Sequence, residues 1–233
     1  MPLSIDVWSD IACPWCYVGK RHLEAALEGF AHRDEVEVVW HSFELDPGAP
    51  KALGDEVSYV ERLARKYRVP TARAQQMLDR MTQTGADRGI ELRFDRIRAG
   101  NTFDAHRLLH LARERGVQDA LKERLMRAYF TEGEPIGDPD ALARLAGEIG
   151  LDAGEAREVL ASDAFAEAVR ADEARAAAYG ITGVPCFVLA ERFAVTGAQP
   201  AETLRAVLER AWREAEAPEP AVEEGAACGP DGC

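Results

Sequence analysis

The sequence has few cysteines and no long apolar run. Five cysteines among 233 residues do not make the dense disulfide framework of a small secreted domain. The longest uncharged apolar runs fall far short of the roughly 18–20 residues that a membrane span needs. The first residues, MPLSIDVW, contain neither the basic stretch nor the apolar stretch of a secretory signal. We therefore expect a soluble, cytoplasmic protein.

Acidic residues outnumber basic ones in the sequence. The chain has 41 acidic and 28 basic residues, which give a formal net charge of −13. Such a surface repels, on average, the phosphate backbone of nucleic acids and anionic lipid headgroups. We therefore expect no nucleic-acid and no membrane partner. Because 47% of the residues are apolar, the body of the chain can bury a substantial core.

The chain opens with a β-α-β pattern. Residues 3–9 (LSIDVWS) and 35–45 (EVEVVWHSFEL) have the alternation and the β-branched content of strands. Between them, apolar residues recur at spacings of three and four, which predicts an amphipathic helix. A second α/β segment follows much later, with short strands in GVPCFVLA and RFAVTG and a helix in AETLRAVLERAWREA.

The stretch between these segments has an almost wholly helical pattern, broken by proline and glycine. The end of the chain, EAPEPAVEEGAACGPDGC, has too few large apolar side chains to bury itself. We predict an α/β domain in two halves, 1–45 and 180–216. Residues 46–179 form an inserted all-helical subdomain, and 217–233 form a flexible tail.

Two cysteines, Cys13 and Cys16, lie three positions apart where the first strand gives way to the first helix. A Cys-x-x-Cys in a β-α-β setting is typical of a thioredoxin-like redox motif. Unpaired N–H groups and the dipole at a helix N-terminus lower the pKa of a thiol there, which makes Cys13 a nucleophile. Cys16, one turn further along, is then the resolving thiol that attacks the mixed disulfide. Pro14 suits the first helical turn, where its missing N–H costs nothing.

A proline about 170 residues later belongs to the same predicted site. Pro185 opens the strand in GVPCF and lies near the cysteines if the two α/β halves share a sheet. A cis Val184–Pro185 bond would expose the Val184 backbone to an extended peptide beside Cys13. We interpret Cys186 as a small buried hydrophobe at the start of a core strand rather than a third redox thiol.

The segments SDIACPWCYVG, NTFDAHRLLHLA and YGITGVPCF resemble the DsbA-like branch of the thioredoxin superfamily, and in particular its FrnE type. The resemblance covers nearly the whole chain, although a thiol directly after Pro185 departs from it. It implies a thioredoxin-like fold with a helical cap, Cys13 as attacking thiol, Cys16 as resolving thiol and Pro185 as the cis proline. The implied function is cofactor-free thiol-disulfide exchange with polypeptide substrates. Glutathione and a thioredoxin-type reductant are further candidate partners.

Two other functions stay open. Glutathione-dependent enzymes of the superfamily, such as 2-hydroxychromene-2-carboxylate isomerases and kappa-class transferases, also carry a helical insertion. They usually have serine at the position of Cys13 and would leave Cys16 without a role. The other alternative is a structural zinc module, because the spacings of Cys13, Cys16, Cys228 and Cys233 fall within the range of such sites.

The histidines and Asp10 are weaker candidates. A single histidine such as His41 in a strand is more often a hydrogen-bonded structural residue. His106 and His110 share a helix face at a spacing that zinc could use, but no acidic residue completes a known motif, so we predict no metal site. Asp10 either disfavours a Cys13 thiolate or forms an Asx turn into the helix, and we favour the turn.

Cys228 and Cys233 flank a turn-like sequence, CGPDGC, at the end of the chain. A disulfide between them is geometrically reasonable. The preceding linker is long enough to bring the pair to Cys13 and Cys16 at a high effective concentration. We hypothesise that they form a second redox pair that exchanges electrons with the first or tunes it. A dispensable tail is the alternative.

Overall fold

A computed structural model of the protein describes residues 2–52 and 57–216, and the predicted tail with Cys228 and Cys233 lies outside these residues. Four strands form one sheet in the order β2-β1-β3-β4. They are β1 (Leu3–Ser9), β2 (Val36–Ser42), β3 (Cys186–Leu189) and β4 (Phe193–Thr196). β1 pairs in parallel with β2 and antiparallel with β3, and β3 pairs antiparallel with β4. The two α/β segments predicted from the sequence therefore share one sheet.

The helices fall into two groups. α1 (Pro14–Glu28) and α9 (Ala201–Glu216) accompany the strands of the first and second segment. Between β2 and β3 lie α2 (Tyr59–Tyr67), α3 (Thr71–Ala86), α4 (Phe103–Glu114), α5 (Gln118–Arg127), α6 (Pro139–Glu148), α7 (Ala153–Leu160) and α8 (Ala166–Ala178). A 3-10 turn (Arg33–Glu35) precedes β2, and a π-helical turn (Ala128–Glu132) extends α5. A helical insertion is therefore confirmed.

The insertion is less helical than its sequence pattern predicts. Residues 87–102 connect α3 to α4 without a helix. Gly89 turns the chain at the end of α3, with a φ of 70° that glycine adopts without steric cost. Phe94 and Ile97 in this connection are buried in the core of the insertion. The apolar residues of the connection therefore pack as an ordered loop.

The sheet is covered on both faces. On one face, Ile5 and Val7 of β1 pack with Leu23 of α1 and Leu208 of α9. On the other face, Trp8 packs against α8, together with Cys186. A larger core fills the insertion and reaches Cys13 and Cys16 at the start of α1. The dithiol motif therefore lies where the insertion meets the sheet layer.

Cys186 and His41 have the structural roles expected from the sequence. Cys186 is completely buried on β3, and burial raises the pKa of its thiol. The His41 ring lies between two carboxylates, with Nδ1 2.6 Å from Asp172 Oδ1 and Nε2 2.6 Å from Asp6 Oδ1. Burial alone would lower the pKa of His41, but the two carboxylates raise it above its ordinary value. The imidazolium therefore joins β1 and β2 to α8.

None of the helices within the described ranges is long and apolar enough to cross a bilayer.

Candidate active site

The dithiol motif caps α1. Cys13 is the N-cap residue in an extended conformation, and Pro14 occupies the first helical position, as predicted. The backbone N–H groups of Cys16 and Tyr17 donate to the Cys13 carbonyl at 3.1 and 3.3 Å, which closes the first turn. The Cys13 sulfur therefore lies where the helix has free N–H groups.

The two thiols have different environments. Cys13 is 4% exposed and Cys16 is 0% exposed. The pKa of Cys13 is lowered mainly because the Cys16 thiol donates a hydrogen bond to the Cys13 sulfur. Burial acts to raise this pKa, whereas hydrogen bonds from the backbone N–H groups of Cys16 and Trp15 lower it further. Burial raises the pKa of Cys16 well above its ordinary value, and a charged Cys13 raises it further. The site therefore favours a thiolate on Cys13 and a neutral thiol on Cys16.

The second α/β segment contributes Val184 and Pro185 beside the two cysteines. The Val184–Pro185 peptide bond is cis. The Cys13 Sγ lies 3.7 Å from the Val184 carbonyl oxygen, to which the protonated thiol can donate a hydrogen bond. α1 approaches Pro185 so closely that a Cβ added to Gly19 would lie 2.9 Å from Pro185 Cγ. The structure therefore brings Cys13, Cys16, Val184 and Pro185 together.

Asp10 fixes the loop before α1 through hydrogen bonds and adds a negative charge to it. Its Oδ1 accepts a hydrogen bond from the Ala12 N–H at 3.4 Å, the expected Asx turn, and its Oδ2 accepts one from the Leu45 N–H at 2.8 Å. Burial would raise the pKa of Asp10, but the nearby His106 ring and the Leu45 N–H hold it below its ordinary value. An ionised Asp10 works against the Cys13 thiolate. The two interpretations of Asp10 are therefore not exclusive.

The two histidines of α4 face different carboxylates. His106 Nε2 lies 3.4 Å from Asp10 Oδ1, whereas His110 Nε2 lies 3.1 Å from Asp172 Oδ2. Within residues 2–52 and 57–216, no three or more His, Cys, Asp or Glu side chains are grouped as metal ligands. The zinc alternative requires Cys228 and Cys233, which lie outside this part of the chain.

Lys122 of α5 is a site residue that the sequence reasoning missed. Its side chain is completely buried, and its ammonium donates to the Ser9 carbonyl at 3.2 Å, one residue before Asp10. Burial lowers the pKa of Lys122 to about 8, while Cys16 and Asp10 act to raise it. A signal was present in α5, whose buried positions 118, 121, 122, 125 and 126 form one stripe. A lysine in such a stripe indicates a buried charge.

A cavity of 720 Å³ opens beside Cys13. α2, α3 and the loops before α1 and after β2 line it. Its rim carries three large apolar side chains that are exposed: Trp15, Leu45 and Tyr67. Lys66 and Arg80 add positive charge. A substrate side chain next to a reacting sulfur therefore has an apolar space to enter.

The sheet order, the helical insertion and the dithiol at the start of α1 define a thioredoxin-like protein. The chain belongs to the DsbA-like thioredoxin domain family, whose model matches residues 4–209. The expected α/β thioredoxin-like fold with a helical insertion is confirmed.

The chain is also similar to several known proteins. The chain is 31% identical over 195 residues to the uncharacterized protein YwbO of Bacillus subtilis (strain 168), covering 82% of this chain and 88% of the relative. It is 46% identical to a probable DsbA oxidoreductase from Streptomyces coelicolor, with a TM-score of 0.86 over 99% of this chain and 98% of that chain. The cytosolic disulfide reductase DsbM of Pseudomonas aeruginosa, solved with GSH, is 18% identical, with a TM-score of 0.63 over 90% and 99% of the two chains. This last likeness is one of fold.

Proposed function

We propose that the chain is a protein thiol-disulfide oxidoreductase of the FrnE type, in which Cys13 attacks and Cys16 resolves. One arrangement carries the proposal: Cys13 caps α1 beside the Val184 carbonyl, and Cys16 is completely buried in the first turn of the same helix. These environments shift the pKa values of the two thiols in opposite directions. A low pKa provides a thiolate that attacks and a good leaving group, and a high pKa keeps the second thiol neutral until it is needed.

The reaction takes two exchanges. The Cys13 thiolate attacks a substrate disulfide, forms a mixed disulfide and releases one substrate thiolate. Cys16 then attacks the Cys13 sulfur, so that the Cys13–Cys16 disulfide forms and the second substrate thiolate leaves. The substrate is thereby reduced by two electrons and the enzyme is oxidised by two. Run backwards, the same steps oxidise a substrate dithiol.

Polypeptides are the proposed substrates. The Val184 carbonyl lies 3.7 Å from the Cys13 sulfur, where an extended substrate segment could pair with the backbone before Pro185. The apolar cavity beside Cys13 provides space for a side chain that flanks the reacting cysteine. The proposed second redox pair, Cys228 and Cys233, rests on the sequence alone.

Reduction of insulin and refolding of scrambled ribonuclease test the proposal. We expect the wild-type protein to accelerate at least one of these reactions, and Cys13→Ser to abolish the effect. Cys186→Ala is the matched control, because it removes a buried cysteine that is not part of the Cys-x-x-Cys motif and is expected to keep the activity. No acceleration by the wild-type protein in either assay would overturn the proposal.

Glutathione-dependent isomerisation or transfer is the second candidate. The observation in its favour is the positive charge of Lys66 and Arg80 on the cavity beside Cys13, which suits a small thiol bearing carboxylates. Isomerisation of a chromene carboxylate with glutathione, retained in Cys16→Ser, would favour this function. Activity that requires both cysteines favours the first.

A further inference from the structure

Lys122 needs a functional explanation. It is completely buried at a stripe position of α5, between the apolar neighbours Leu121 and Leu125. Within the described part of the chain, its ammonium has one hydrogen bond, to the Ser9 carbonyl at 3.2 Å, for three N–H donors. The Trp40 ring lies 5.6 Å from it. Burying a lysine with so few partners is costly, and a leucine or methionine would fill the same space without that cost.

The charges around Lys122 belong mainly to the dithiol site. Cys16 and Cys13 act on it electrostatically from the start of α1, and Asp10 does so from the loop after β1. Lys20, also on α1, is a like charge that acts on it. Trp40 of β2 contributes a ring face and no charge. Lys122 is thus placed to respond to the ionisation of the two thiols.

The protonation state of Lys122 is adjustable near neutral pH. Burial lowers its pKa to about 8. At pH 7 the ammonium ion therefore predominates, and a neutral amine is within reach. A neutral amine can accept a proton, and an ammonium ion stabilises a nearby thiolate. Buried Cys16, whose thiol is hard to ionise, needs both effects.

We infer that Lys122, supplied by the helical insertion, accepts the proton that Cys16 gives up when it resolves the mixed disulfide. The inference rests on the proposed thiol-disulfide exchange. In this step the Cys16 proton passes to the Lys122 amine, the Cys16 sulfur bonds to the Cys13 sulfur, and the bond from Cys13 to the substrate sulfur breaks. The substrate leaves as a thiolate, and the Lys122 ammonium later loses its proton to water. The insertion is then part of the reaction centre.

A two-phase exchange reaction separates this step from the first. The full chain carrying Cys228→Ser and Cys233→Ser is mixed with 5,5′-dithiobis(2-nitrobenzoate). Attack by Cys13 releases one thionitrobenzoate, and attack by Cys16 releases the second. Lys122→Met is expected to slow the second release about 100-fold and to change the rate of the first release much less. The second rate constant of the parent chain is expected to rise with an inflection near pH 8 that the variant lacks.

Lys20→Met is the matched control. Lys20 is also buried on an element of the site, but it pairs with Asp119 at 3.1 Å and with Glu24. We expect this variant to keep both phases. An unchanged second phase in Lys122→Met, with the same pH profile, would overturn the inference. Failure of the parent chain to release a second thionitrobenzoate would instead overturn the proposed function.

A measurement on the unsubstituted chain covers the case in which Lys122→Met does not fold. Lysine labelled at Cε lets NMR follow the titration of Lys122. The pKa of Lys122 is expected to fall when the Cys13–Cys16 disulfide forms, because two groups that can carry negative charge are lost. The same pKa in the dithiol and disulfide forms would refute the coupling.

Discussion

Replacing His41 with leucine is expected to loosen the helical insertion from the sheet. The His41 ring bridges Asp6 of β1 and Asp172 of α8 through two contacts of 2.6 Å. Removing one partner of a buried ion pair leaves an uncompensated charge and costs about 3–5 kcal/mol. Here two carboxylates would lose their partner at once.

The lower end of that range applies, because both carboxylates keep other partners. Asp172 still accepts the Ser42 N–H at 2.8 Å and faces His110 at 3.1 Å, and Asp6 still faces Arg175 at 3.6 Å. We therefore expect a loss of about 3 kcal/mol in the free energy of unfolding. For a domain of this size, that corresponds to a melting temperature lower by about 6–12 °C.

The effect of His41→Leu should depend on pH in a defined direction. The folded pKa of His41 is raised above 6.5, so its contribution is complete below pH 6.5 and is lost as the pH rises through the folded value. The folded pKa values of Asp6 and Asp172 are lowered below 3.8 despite burial, so their contribution is present above pH 3.8 and is lost at more acidic pH. The difference between wild type and variant is therefore largest between about pH 4 and 6.5.

Urea unfolding of the two proteins across this pH range measures the difference. The control is His32→Leu, whose side chain is 41% exposed and pairs with Glu35 at the surface, and which should cost about 1 kcal/mol or less. Equal stability of His41→Leu and wild type at pH 6, or a difference that grows steadily toward pH 9, would refute the reasoning.

Three further outcomes follow from the same contacts. Cys13 should be alkylated much faster than Cys16 at neutral pH, and equal rates in the two single Cys→Ser variants would contradict the assigned thiolate. Gly19→Ala should destabilise the protein by about 1–3 kcal/mol and slow thiol-disulfide exchange, because the added Cβ would lie 2.9 Å from Pro185 Cγ. Gly147→Ala is the control and should have neither effect, because the nearest atom to its Cβ would be 3.6 Å away. Equal melting temperatures of the two variants would argue against a tight contact at Gly19. Truncation after Ala217 should change the redox potential if the tail pair exchanges electrons with the first, and an unchanged rate and potential would remove the tail from the mechanism.

Local sequence patterns predicted the parts of the site that depend on short-range structure. The strand, the turn and the helix around Cys13 lie within one stretch of the chain, so strand alternation and helical spacing were sufficient. The long-range position of Pro185 beside the dithiol followed from the assumption that two α/β segments share a sheet, and the sheet order confirms it. Strand alternation predicted β2 at residues 35–45, whereas the strand runs from Val36 to Ser42. The predicted end is three residues too late because pairing with β1 stops at Ser42.

Tertiary packing supplied what the sequence could not predict. The Lys122 ammonium reaches the Ser9 carbonyl at the end of β1 only because α5 packs against β2, and no local pattern gives that docking. His106 and His110 share a face of α4, as their spacing predicts, but their partners come from separate elements. The cavity beside Cys13 likewise forms between α2, α3 and distant loops. Contacts of this kind are set by the whole fold.

Trapping the mixed disulfide identifies the attacking thiol. Cys16→Ser, with Cys228 and Cys233 also replaced by serine, is incubated with a disulfide-bonded polypeptide, and the product is mapped by mass spectrometry. We expect one polypeptide attached per enzyme chain, through Cys13. We expect no such adduct when Cys13→Ser replaces Cys16→Ser in the same background. Attachment through Cys186, or equal adduct formation by the two variants, would contradict the assignment of Cys13 as the attacking thiol.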